Sequence, residues 1–267
     1  MGLKIAVLVT AGVVAGTPVS YVTSHQQPDG GFAEPGGRSS AELTAWAALG
    51  LAAAGRPPGH AAEYLAAKPT GDATDVALRI LALRALNAQP GSLVDRLDSL
   101  RRPDGRIGSL VNSTIWGVLA FRSVGRPVGV ATVRYLLRQQ RPGGGWSWYP
   151  RGAPDSNDTA AAIEALSAAG VGGRPVRRGL AYLRRLQRRD GGFPLVKGRT
   201  SDSQSTAWTI QAFLAAGKAP PTRAFAYLAR MRRRDGSYRY SARYAVTPVW
   251  VTAQVLPALT RRPFPLR

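Results

Sequence analysis

Residues 182–193 read Tyr-Leu-Arg-Arg-Leu-Gln-Arg-Arg-Asp-Gly-Gly-Phe, and this block decides the architecture because it recurs. Tyr21 opens another copy, with Gln26, Asp29 and Phe32 at the same offsets. Tyr135 leads through Gln140 to Gly143-Gly144-Gly145-Trp146, and Tyr227 leads to Asp235-Gly236-Ser237-Tyr238 with Arg232 in place of Gln. A phase held this often marks one supersecondary unit copied along the chain. Gly supplies positive φ without steric cost and Asp caps neighbouring amides. The turn is therefore predicted to be scaffold, with the aromatic packed over it.

Each copy is followed by a segment rich in Ala and Leu. Aligned on Thr44, Thr74, Thr114, Thr159, Thr206 and Pro248, four of these segments reach a Gly eleven residues later, at Gly55, Gly125, Gly170 and Gly217. Polar capping residues at the start and a left-handed Gly at the end predict helices of about three turns. These segments are apolar nearly all round and should be buried. The Tyr-containing helices are amphipathic and belong outside. Six outer and six inner helices make six hairpins, of which the second, Tyr64 to Pro90, is shortened and lacks the Asp-Gly-Gly turn. Ala-rich inner helices approach closely around a narrow axis, so the predicted fold is all-α, an α/α toroid with negligible strand.

At 267 residues, 45% hydrophobic, the chain has enough apolar material for one large core. Repeats from end to end predict a single domain over residues 17–267. The formal charge of +21 comes from Arg, with many on the outer helices, among them Arg177, Arg178, Arg184, Arg185, Arg230 and Arg232. Such a face is solvated or meets anionic lipid headgroups. No recognition motif accompanies the charge, so nucleic acid is not expected as a partner. With no cysteine, and with His25 and His60 lacking metal-ligand spacing, neither a metal site nor a cofactor is expected. Residues 1–16 read either as a signal peptide, with Ala15 and Gly16 as the cleavage zone, or as an extension of the first outer helix. The first reading places the protein outside the cytoplasm or tethered to a membrane; the second leaves it cytoplasmic. Thr17-Pro18 supplies a helix cap and a first-turn proline.

The combination Arg178-Gly179, Tyr182-Leu183, Gln187 and Gly191-Gly192-Phe193 resembles the QW motif of the terpenoid cyclase and protein prenyltransferase superfamily. Phe193 stands where the motif usually has Trp, while Gly145-Trp146 retains it. The resemblance covers nearly the whole chain and implies a six-hairpin toroid with a ligand cavity at the inner-helix N-termini. Its branches differ in chemistry. Protein prenyltransferases hold zinc through Asp, Cys and His, and thioester domains need Cys; a chain without cysteine fits neither. Class II terpene cyclases such as squalene–hopene cyclase carry Asp-x-Asp-Asp at an inner-helix start. The corresponding stretch here is Asp155-Ser156-Asn157-Asp158, with Asn157 where the proton donor should be. An amide cannot donate that proton, which leaves Asp155 and Asp158 as candidate catalytic acids; the plainer reading is that Asp158 caps the helix. Starts such as Asn157-Asp158-Thr159-Ala160-Ala161 are also similar to the cobalamin-binding toroid of intrinsic factor and transcobalamin.

Two residues after the repeat Thr or Pro come Trp46, Trp116, Trp208 and Trp250, predicted to form an aromatic collar near the inner-helix N-termini. With Trp148, in the longest inter-helix loop, and the polar Asn157 and Gln204, they are the candidate ligand-binding residues. The expected function is binding of an apolar, isoprenoid-like small molecule without the usual acid catalyst. The alternatives are a divergent class II cyclase using Asp155 or Asp158, and an extracytoplasmic cobalamin-binding or interaction module working with a separate partner domain or chain.

Overall fold

A computed structural model describes residues 16–266. Its helices alternate between two concentric layers. The outer layer comprises α1 (Pro18–Thr23), α3 (Ala61–Ala67), α5 (Leu93–Ser99), α7 (Val130–Gln139), α9 (Gly173–Leu186) and α11 (Thr222–Met231). The inner layer comprises α2 (Ala41–Ala53), α4 (Ala73–Ala85), α6 (Val111–Ser123), α8 (Ser156–Ala168), α10 (Ser203–Ala215) and α12 (Pro248–Leu259). Each inner helix packs on the next and α12 packs on α2, which closes the ring. One backbone and one side-chain bond tie the outer layer at the same seam: the Gly16 N–H donates to the Arg234 carbonyl and Arg232 Nη2 donates to that of Gly16. The predicted α/α toroid is the observed fold. The helix start at Pro18, capped by Thr17, is also as expected. The signal-like run falls at residues 5–16, of which all but Gly16 lie outside the described residues.

The repeated block works as local geometry predicts. Asp29, Asp190 and Asp235 each accept the amide two residues on. Gln140 Nε2 donates both to the Gly144 carbonyl inside its own turn and to the Pro175 carbonyl at the start of the next outer helix. One side chain thus staples neighbouring units. Gly191 sits at φ +88°, and a Cβ there would lie 2.5 Å from the Arg223 carbonyl oxygen, so no other residue fits. Phe32, Trp146, Phe193 and Tyr238 are buried over their turns. Their amides donate to Thr44, Thr159, Thr206 and Thr252 Oγ1 on the following inner helix.

That last bond corrects the alignment of two units. Thr252, not Pro248, receives the turn amide in the sixth unit. In the second unit, which has no such turn, Val76 takes the equivalent place and Thr74 lies half a turn earlier. The fully buried Arg79 fills the role of the missing turn, its guanidinium donating to the carbonyls of Leu65, Lys68 and Pro69. Left-handed residues follow the inner helices at Gly55, Gly125, Gly170 and Gly217, as expected, and at Asn87 and Arg261 in the two atypical units.

The outer-helix arginines are only partly a solvated face. Arg178 and Arg185 donate to the carbonyls of residues 141–143, and Arg223 and Arg230 to those of Arg189 and Asp190. Much of the positive charge on α9 and α11 therefore clamps one unit to the next.

Candidate functional site

Four inner helices begin with a side-chain cap: Ser40, Asp72, Asp155 and Asp202 each accept an amide of the first turn. Such a cap contributes about 1 kcal/mol and fixes where the helix starts. Because all six starts face one end of the ring, residues at the same offset from each start form tiers around the axis. The upper tier is Glu42, Thr74, Asn112, Asn157, Gln204 and Trp250. One turn below it lie Trp46, Leu78, Trp116, Ala161, Trp208 and Gln254. All twelve line a single cavity of about 460 Å³. Trp148 and Leu195, from the loops entering α8 and α10, complete its mouth.

Three of the four predicted collar indoles do lie at one level. Trp46, Trp116 and Trp208 meet edge to face in a triangle, their centroids 5.4–5.6 Å apart. That is the favoured geometry for aromatic pairs, each contributing about 0.5–1.5 kcal/mol beyond area burial. Trp250 belongs to the tier above and leans on Trp46 at 6.1 Å. The fourth collar place is taken by Gln254, whose Oε1 accepts from both Trp208 Nε1 (2.8 Å) and Gln204 Nε2 (2.9 Å). This follows from the register correction: Thr252, not Pro248, sets the phase of α12. Phe264, from the segment after α12, closes the triangle from beneath at 5.8–6.5 Å from the three rings. Neither Gln254 nor Phe264 was expected at the site.

The two candidate acids divide the work differently from expectation. Asp155 is the cap of α8, its Oδ1 accepting the Asp158 amide at 2.8 Å. Asp158 caps nothing. It is buried inside the first turn, and its Oδ1 accepts from Asn112 Nδ2 at 2.7 Å. Burial pushes the Asp158 carboxyl well above the usual carboxylate range, and the neighbouring Asp155 charge pushes it further. Asp155 is raised too by burial, but the hydrogen bond from Asp158 and the amides of Asp158 and Asn157 oppose the rise. Their surroundings therefore favour the protonated form at Asp158 more than at Asp155, as two carboxylates this close repel one another. Asn157 lines the cavity beside them, and its amide oxygen accepts from Ser156 Oγ. Glu42, across the mouth, is also raised by burial and by Asp75 and Asp72.

Among the described residues no Arg, Lys or His lines the cavity, and its lower tier is indole and hydrocarbon but for Gln254, whose Oε1 is taken by Trp208 and Gln204. The arrangement suits a molecule with a long apolar body and a small polar head near the mouth. Among the described residues no three His, Cys, Asp or Glu side chains converge as a metal site would require.

No family profile and no curated protein matches the sequence. Solved structures do match in shape. The type II terpene cyclase MstE from Scytonema, in complex with geranylgeranyl dihydroxybenzoate, superposes with a TM-score of 0.67 at 18% identity, covering 91% of this chain and 94% of that one. Candida albicans protein geranylgeranyltransferase-I complexed with GGPP gives 0.63 at 11% identity, covering 82% and 83%. The ent-copalyl diphosphate synthase from Streptomyces platensis gives 0.59 at 22% identity, over 83% of this chain and 50% of that one. The closed ring and these superpositions agree on the fold, an α/α toroid shared with these terpene cyclases and this protein prenyltransferase.

Proposed function

We propose that the protein binds an apolar, isoprenoid-like molecule with an uncharged head group in the indole-floored cavity. The observation that carries this reading is the polarity gradient between the two tiers. Three indoles, Leu78 and Ala161 lie below with Gln254 their single polar neighbour; Glu42, Thr74, Asn112, Asn157 and Gln204 lie above with Trp250, and no Arg or Lys is among them. A diphosphate head would meet Glu42, Asp155 and Asp158 with nothing to neutralise it, whereas an alcohol can hydrogen-bond to them. The neighbours in complex with geranylgeranyl dihydroxybenzoate and with GGPP make polyprenes the natural first probes. In a titration followed by tryptophan fluorescence, geranylgeraniol is expected to bind at least about tenfold more tightly than geranylgeranyl diphosphate, the difference a modest electrostatic penalty of about 1.4 kcal/mol produces. Equal affinity, or a preference for the diphosphate, contradicts the reading.

A second reading, acid-initiated cyclisation, is favoured by Asp158, which is buried, raised in pKa by that burial and not used as a cap. The Asp158 O–H bond would break as a C–H bond forms on a terminal alkene. The carbocation would be stabilised over the indole faces by about 0.5–2 kcal/mol each, and a proton lost to water would end the sequence, leaving an isomer. The physical balance keeps this second. The same desolvation that raises the Asp158 carboxyl makes its proton harder to give, and an alkene is a very weak base. Turnover of squalene or geranylgeraniol to a cyclic isomer, lost in Asp158→Asn, would promote it. No correspondence with a cobalamin site supports the corrinoid alternative.

The mouth also bears on partners. Trp148 and Leu195 at the rim and Tyr149, Tyr244 and Val246 on adjoining loops are large and exposed, between 40% and 55%. Arg151, Lys197, Arg199, Arg239 and Arg243 stand on the same loops. This end, rather than the outer helices, is the better candidate to meet an anionic bilayer, from which an apolar ligand would be drawn. Co-sedimentation with phosphatidylglycerol vesicles should fall severalfold in Trp148→Ala/Tyr244→Ala; unchanged sedimentation would return the contact to the outer helices.

A further inference from the structure

Gln254 is the one polar side chain in the lower tier of the cavity, and only half of its amide is used. α12 stands between α10 and α2, so Gln254 takes its place in that tier between Trp208 and Trp46. Its oxygen accepts from Trp208 Nε1 at 2.8 Å and from Gln204 Nε2 at 2.9 Å. An indole N–H can only donate, so the oxygen must be the atom facing Trp208, and Nε2 is left on the other branch of the amide. With both lone pairs of the oxygen taken, any further polar contact of Gln254 passes through Nε2. That nitrogen is buried, and no hydrogen-bond partner for it is found among the described residues. A buried donor left unmade is costly. Accepting from Trp208 accounts for the oxygen of Gln254; nothing among the described residues accounts for its nitrogen.

Other buried side-chain atoms also lack partners, but those of Glu164, Thr209 and Gln211 lie deeper along α8 and α10 than the indole floor. Glu164 meanwhile holds the Phe264 amide through its second oxygen, at 2.8 Å. Among the described residues, Gln254 alone combines a buried, unpartnered polar atom with a place on the cavity wall.

We infer that Gln254 Nε2 donates to an acceptor oxygen on the apolar body of the ligand, away from its head group. The molecule is thus an oxygenated one, bearing a ketone, ether or epoxide at the depth of the indole floor. The inference rests on the cavity being an apolar-ligand site and names the class of molecule that fills it. An oxygen at the right depth completes the buried donor. The same oxygen a few carbons away is buried against indole or hydrocarbon with no partner, so Gln254 selects by position.

The test measures Kd for straight-chain primary alcohols matched to geranylgeraniol in length, each with a single ketone moved carbon by carbon along the chain. Geranylgeraniol itself is the isoprenoid reference. One ketone position, or two adjacent ones, should bind at least about tenfold more tightly than the other isomers, since the cost of desolvating the carbonyl is common to all. The carbonyl stretch of the best isomer should fall in frequency on binding. Removing Gln254 alone would free the Trp208 N–H to take its place, so the substitution is made in Trp208→Phe. That single variant should keep the optimum, and Trp208→Phe/Gln254→Leu and Trp208→Phe/Gln254→Met should lose it; circular dichroism selects the variants that fold. A purely structural role for Gln254 would weaken all isomers together and leave their ratios unchanged. Isomers of equal affinity, an unshifted carbonyl stretch, or an optimum that survives in a folded double variant overturns the inference, and geranylgeraniol binding in the same assay would leave the apolar-ligand reading standing. A Gln254-dependent optimum without geranylgeraniol binding keeps the inference and overturns the isoprenoid reading. Absence of binding by every probe overturns both.

Discussion

Trp208→Ala is expected to lower the melting temperature by roughly 10 °C and to abolish measurable binding of geranylgeraniol. Trp208 is at once core and cavity wall: it is 3% exposed, touches Trp46, Trp116 and Phe264, and donates to Gln254. A buried Trp→Ala change costs about 3–5 kcal/mol, and in a chain of this size each kcal/mol moves the midpoint by about 2–4 °C. The loss should exceed that of Trp250→Ala, because Trp250 is only half-buried and one tier higher. Differential scanning calorimetry and the fluorescence titration together check both halves. Trp208→Phe is the informative companion. It keeps an aromatic face but loses the indole N–H, so it should recover most of the affinity and part of the stability. Equal effects of Trp208→Ala and Trp250→Ala would refute the two-tier arrangement.

Asp158→Asn should stabilise the protein at pH 8 while leaving it nearly unchanged at pH 4. A carboxyl whose folded pKa is raised contributes stability that is fully present below its unfolded value and is lost as pH rises through the folded value. Asp158 is raised by burial and by Asp155, so the wild type loses stability across the range above the ordinary carboxylate region. Asparagine reproduces the neutral acid. Its oxygen can still accept from Asn112, and its amide can donate to Asp155. The gain at pH 8 should be on the order of 1–3 kcal/mol, the scale of relieving an uncompensated buried polar group. Urea unfolding at the two pH values measures it. Destabilisation at pH 8 would show that Asp158 is ionised in the folded protein. If the cyclisation reading is right, the same substitution also removes activity, and a more stable but inactive variant is the signature of a residue kept for chemistry.

The scaffold was legible in the sequence because it is local. Gln187, the Asp190-Gly191-Gly192 turn and Phe193 meet within a few residues of one another, so a fixed spacing reports a fixed geometry. The cavity was legible only in part. Trp46, Trp116, Trp148, Asn157, Gln204, Trp208 and Trp250 all reach it, yet the level of Trp250 was misread, because the alignment followed the proline at 248 instead of the hydroxyl that receives the turn amide. The cap of α8 was assigned to Asp158 instead of Asp155 for a similar reason. Either can cap a helix three residues on, and only the backbone shows that the amide of Asp158 goes to Asp155. Phe264 and Glu164 carried no signal at all. They lie 100 residues apart in sequence and meet only because the ring closes.

The most direct test of the central claim, that this toroid holds an apolar molecule in its indole-floored cavity, is native mass spectrometry of the protein purified without detergent or added ligand. The account predicts a retained species of isoprenoid mass, released on unfolding, bound one per chain and lost in Trp208→Ala. A bare chain that also takes up no polyprenol when one is supplied, or a retained mass that persists in Trp208→Ala, would contradict it.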